Sequence, residues 1–139
     1  MALSVRSIYN SILGSFNATP GGKFDTDFQV ALNNVLDELS FSGGLSTPIA
    51  HPTTLDSNIS ELDEDDSMIV LTGLEPYLMR SGQVHVAGAA YLPVALDLWK
   101  EATGQFQVKK SVATQASNLD SNGHTMTDII GLGYRGSET

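Results

Sequence analysis

Between Glu61 and Thr103 two apolar-periodic segments follow one another, the first opened by the acidic residues Glu61, Asp63, Glu64, Asp65 and Asp66 and the second ending on Leu98-Trp99-Lys100-Glu101. Such a stretch is confined to a helical hairpin built for packing. Carboxylates are favoured at a helix N-terminus, where they accept unpaired backbone N–H groups and complement the macrodipole. Leu71, Leu74 and Leu78 recur behind them at helical spacing, which predicts a helix from about Asp66 to Ser81. Pro76 lacks an N–H and crowds the preceding turn, so a kink there or a break at Gly73 is expected. A further helix is predicted from about His85 to Thr103, with Ala87, Tyr91, Val94 and Leu98 on one stripe. Its Gly88, Ala89 and Ala90 are small enough for close helix approach, and Pro93 should bend it.

Two more helices precede the hairpin. Val5, Ile8, Ile12 and Phe16 lie three and four apart, giving an apolar stripe on a helix from about Ser4 to Phe16 that Thr19-Pro20-Gly21-Gly22 ends. With Arg6 as its only cation, that stripe suits core or partner packing better than a membrane surface. The next helix is best specified. Asp25 or Thr26 serves as N-cap, Gln29 stands three residues after Thr26 as a capping box requires, and Gly43-Gly44 supplies the stop. Its wide apolar face is Phe28, Ala31, Leu32, Val35, Leu36 and Leu39. Residues 42–60 turn to Gly, Ser, Thr and Pro with isolated Leu45, Ile49, Leu55 and Ile59, a long loop or small hairpin. The fold class expected is mainly α: a small bundle of about four helices with that loop and an extended C-terminal tail.

After Gly104 the apolar residues lose helical period among Ser, Thr, Asn, Gln and Gly. Residues 1–103 are therefore expected to form the helical core domain and residues 104–139 an extended arm that orders on a partner. Phe106, Ile129, Ile130 and Tyr134 are its candidate partner-binding anchors.

A chain of 139 residues with 41% hydrophobic and 17% charged residues supports one modest core. Its 7 basic against 16 acidic residues, a formal charge of −9, argue against a nucleic-acid clamp, which needs clustered Lys and Arg to displace counterions from phosphates. An acidic wall suits a surface past which DNA slides without sticking. Without cysteine there is neither a disulfide framework nor a thiolate zinc site. No run is long enough to span a bilayer, and Arg6, Ser7, Asn10 and Ser11 interrupt any signal-peptide core, so synthesis in the cytosol is expected.

Candidate chemistry dissolves on inspection. Gly131-Leu132-Gly133-Tyr134-Arg135-Gly136 fits the dinucleotide G-x-G-x-x-G, yet that fingerprint must join a strand to a helix and only three residues follow it. His51, His85 and His124 lie on separate segments without a neighbouring ligand at metal spacing. The Asp63–Asp66 cluster lacks the alternation and glycine of a calcium loop. Asp37 and Glu38 are adjacent in a helix and so point in different directions, which unsuits them for paired acid–base work. The expectation is a non-enzyme without metal or cofactor.

Ala31-Leu32-Asn33-Asn34-Val35-Leu36-Asp37-Glu38-Leu39, a Ser/Thr/Pro loop, Leu62-Asp63-Glu64-Asp65-Asp66 and Leu74-Glu75-Pro76-Tyr77-Leu78 together resemble the head-to-tail adaptor, or connector, proteins of tailed bacteriophages. The likeness spans about residues 25–103 and includes an aromatic-plus-Lys helix end at Trp99-Lys100. Departures fall at Pro76, Pro93 and Ser81-Gly82-Gln83-Val84. The resemblance implies a virion structural protein: a helical bundle that forms a homo-oligomeric ring, commonly of twelve copies, in the neck. That ring would bind the portal protein above and a tail or nozzle protein below, and DNA would pass through its centre without specific binding. No membrane is implied, and the host cytoplasm is where such a protein assembles. A head-completion or tail-terminator component, or a non-virion regulatory interaction protein, are the alternatives.

Overall fold

The computed structural model describes residues 2–84 and 92–117. In chain order they form β1 (Ala2–Ser4), α1 (Val5–Phe16), α2 (Gly22–Ser42), β2 (Asn58–Asp63), a single 3-10 turn (Glu64–Asp66), α3 (Ser67–Arg80) and α4 (Leu92–Ser117). The protein is mainly helical, with four helices and one two-stranded sheet among the described residues.

Ser4 starts α1, its Oγ accepting the N–H of Ser7 at 3.3 Å. Asn17 ends the helix in the left-handed region at φ 46°, a conformation asparagine tolerates better than most residues. Val5, Ile8, Tyr9, Ile12 and Phe16 are buried, so the stripe read from the sequence is the packed face.

The start of α2 lies earlier than its capping signature. Gly21 and Gly22 both take positive φ (94° and 60°), and the helix begins at Gly22. This earlier start brings Phe24 into the core, where its ring meets Tyr9 edge-on at 6.0 Å. Asp25 is thus inside the first turn rather than at the N-cap, yet its Oδ1 still accepts an orphan N–H, that of Gly21 at 3.0 Å. Phe28, Ala31, Leu32, Val35, Leu36 and Leu39 are all buried as expected. At the far end the N–H of Gly43 bonds to Leu39 O at 2.8 Å, and Gly44 turns the chain at φ 62°.

The 43–57 loop is pinned by a buried hydroxyl. Ser40 Oγ donates to Leu36 O at 2.8 Å and accepts the N–H of Ile49 at 2.9 Å, which seats Ile49 in the core. β2 then pairs antiparallel with β1, Leu3 opposite Ile59 and Ser4 opposite Asn58, before the register shifts so that Ala2 faces Asp63. The irregularity turns both Ile59 and Leu62 inward although they are three residues apart.

The acids that follow β2 act as the sequence suggests, one step earlier. Asp63 and Asp66 form a capping box around the 3-10 turn, with the N–H of Asp63 donating to Asp66 Oδ2 at 2.9 Å. α3 continues unbroken through Gly73 and carries Pro76 within it. Its buried stripe is Val70, Leu74 and Leu78, with Leu71 only partly buried at the margin. α3 packs against α1 and α2. Gly73 is required by close approach: a Cβ there would lie 2.8 Å from both a Trp99 ring carbon and a Val35 methyl.

α4 corrects one expectation. Val94 and Leu98 are half exposed, and the buried face is Ala95, Trp99, Ala102 and Phe106, one residue round the helix from the stripe proposed. The bend expected at Pro93 falls at the boundary with residues 85–91, which lie outside the described residues. Ala87, Tyr91 and the start expected at His85 lie outside the described residues.

The expected arm from residue 104 is also corrected. α4 runs on through Gly104 to Ser117, because Phe106 keeps the spacing of Ala95, Trp99 and Ala102 and is fully buried with them. One compact unit ends at Phe106, and residues 107–117 are described as helix.

Candidate functional site

Two polar clasps lie among the core helices. Glu38 sits on the edge of the apolar face of α2, next to Leu39 and three residues beyond Val35. Its Oε1 accepts the indole N–H of Trp99 at 2.7 Å and a short hydrogen bond from the Tyr77 hydroxyl. One carboxylate thereby joins α2, α3 and α4. Tyr and Trp carry large apolar bodies with a polar tip that needs a partner when buried, and Glu38 meets both needs. Burial, then the hydrogen bond and charge of Glu38, push the Tyr77 phenol up to about 12. The clasp is one carboxylate bonded to two donors, an arrangement that fastens three helices together.

The shift has a measurable consequence. The unfolded chain releases this proton near the ordinary value of 10, whereas the folded chain holds it to about 12. Between those values the unfolded state binds fewer protons, so stability is whole below pH 10 and falls as pH rises toward 12. Thermal melts across that window should drop steeply for the parent chain and less steeply for Tyr77→Phe.

The second clasp joins α1 to the start of α2. The Tyr9 hydroxyl donates a short hydrogen bond to the same Asp25 Oδ1 that accepts the Gly21 N–H. Burial first, then Asp25, raises the Tyr9 phenol above its ordinary range. The rings of Tyr9 and Phe28 meet edge-on at 5.1 Å beside it. At the other end of α2's first turns, Asp27 accepts from Lys23 at 2.5 Å and from Gln83 at 3.0 Å, bonds that lower its carboxyl. Lys23 also donates to Ser81 O at 2.8 Å, fastening the end of α3 to α2.

Among the described residues, those singled out from sequence do not gather. Asp37 pairs with His51 at 2.8 Å on the exposed side of α2, while Glu38 turns into the clasp, so the neighbouring carboxylates do diverge. Among the described residues no three His, Asp or Glu side chains are placed to hold a metal ion, and no helix is long and apolar enough to cross a membrane. Phe106, expected to anchor on a partner, is a core residue with none of its surface exposed. Ile129, Ile130 and Tyr134, with His85, His124 and the glycine motif at 131–136, lie outside the described residues.

Exposed apolar side chains are the surface features with binding potential. Phe41 is 88% exposed just before the end of α2, Met68 is exposed at the start of α3, and Val94 and Leu98 are half exposed on α4. Singly such residues are ordinary, but Phe41 is the kind of aromatic that anchors interfaces. Reading from sequence missed both clasps, though the polar tips of Tyr9, Tyr77 and Trp99 on apolar faces were a signal that carboxylates lay opposite. Compared with protein-family models, with curated proteins and with solved structures, the chain finds no match.

Proposed function

We propose that this protein is a structural component of a tailed-phage virion, a head-to-tail adaptor that forms a ring beneath the portal and lines part of the DNA channel. The observation that carries the reading is that the segments bearing the adaptor likeness meet in one core. Residues 31–39 of α2 and 74–78 of α3 pack together, and Glu38 and Tyr77, one from each, are directly bonded. Trp99 of the likeness closes the same clasp from α4. A formal charge of −9 suits a channel wall, since a negative lumen repels the DNA backbone and avoids pinning it.

The same charge sets the assembly behaviour. Copies carrying −9 repel one another, so the isolated chain stays monomeric or forms small oligomers, and the portal supplies the template for the ring. Salt should promote association by screening that repulsion. Analytical ultracentrifugation at low and high salt, with and without purified portal, tests this. Large rings formed by the chain alone at low salt would contradict the templated assembly.

A further inference from the structure

We infer that the half-open cavity between α1, α2 and the 52–55 loop is a socket for one basic side chain, lysine or arginine, presented by a partner protein. Its volume is about 140 Å³. Pockets that enclose whole small-molecule ligands run to roughly 300–1,000 Å³, whereas a cavity of about 150 Å³ takes a molecule the size of benzene. The space therefore fits one side chain and excludes a nucleotide or other large cofactor.

The walls specify which side chain. Val5, Phe28, Leu32 and Leu55 give an apolar shaft, and Asp25 is the only charged residue among those lining the cavity, the nearby Arg6 being paired with Asp56. The Tyr9 and Gly21 donors both fall on Asp25 Oδ1, which leaves Oδ2 for a further donor. An apolar stem ending in a cation matches a shaft with one carboxylate, because Lys and Arg bury their methylenes while the charged head finds a partner. An anionic side chain would meet Asp25 in a molecule already at −9.

The socket is preformed. Gln29 Nε2 donates to Pro52 O at 3.1 Å at one end of the loop, and at the other the N–H of Val5 donates to Ser57 O at 3.1 Å and Arg6 pairs with Asp56 at 3.0 Å. A loop tethered on both sides holds the cavity open without a ligand, which lowers the ordering cost of binding. A second copy is a poor source of the cation, since each copy carries −9 and would approach Asp25 against that charge. The inference does not depend on the adaptor reading, because a basic partner of any kind would present the same group.

The test is an NMR titration of the full chain with Nα-acetyl-lysine methylamide, its neutral norleucine isostere and the glutamate analogue, following Tyr9 and Phe28. The lysine analogue should bind about tenfold or more tighter than norleucine, a difference of about 1.4 kcal/mol or more. Asp25→Asn keeps an acceptor for Tyr9 and Gly21 and should bring lysine down to the norleucine level. Leu55→Trp should fill the shaft and abolish both, and it carries the test if Asp25→Asn fails to fold. Equal binding of lysine and norleucine, binding of glutamate, or no shift at Tyr9 and Phe28 would overturn the socket. Self-association of the parent chain that Asp25→Asn abolishes would place a second copy in the socket and overturn the assignment to a partner protein.

Discussion

Leu36→Asp should leave no folded protein. Leu36 is fully buried at the centre of the α2 face, with Val35 and Leu39 equally enclosed around it. An ionised carboxylate there would lose its hydration, at a cost of several kcal/mol against a typical domain stability of about 5–15. Loss of the cooperative thermal transition and of solubility is the expected result. Phe41→Asp, on the same helix but 88% exposed, is the control and should hold stability within about 0.5 kcal/mol. A Leu36→Asp protein that melts like the parent would refute the packing described for α2.

Ending the chain before Gly104 should be nearly as damaging, although the sequence reads as a tail from there. The cut removes Phe106, whose side chain is wholly buried, together with half of α4. Emptying a buried Phe site costs about 3–5 kcal/mol before the lost helical turns are counted. A chain ended after Ser117 keeps all the described core side chains and should still unfold cooperatively. Calorimetry on the two truncations decides the matter: equal stability of both would mean that Phe106 contributes nothing to the core.

Why the boundary of the arm was misplaced is a matter of composition against register. Gly104 with Gln105 and Gln107 has the look of a helix stop, yet the four buried residues of α4 keep strict helical spacing across it. Tertiary burial of Trp99 and Phe106 outweighs the roughly 1 kcal/mol that a mid-helix glycine costs. The same contest hid β2, where Ile59 and Leu62 do not alternate because the ladder is irregular between them. It also moved the start of α2, where burial of Phe24 overrode a good capping signature.

Where periodicity was long and one-sided, in α1 and in the face of α2, the sequence was sufficient. The clasps were not legible in that way. Glu38, Tyr77 and Trp99 are far apart in the chain, and only the packing of three helices brings them to one carboxylate. The Asp25 socket depends likewise on where the 52–55 loop is tethered, which no local pattern encodes.

The most direct measurement of the central proposal is electron cryo-microscopy of the purified chain mixed with the portal assembly of its own phage. The account predicts a closed ring of this protein on the tail-side end of the portal, coaxial with the DNA channel and with its acidic surface toward the lumen. A portal that remains bare at saturating chain, or density from this protein anywhere other than around that axis, would contradict it.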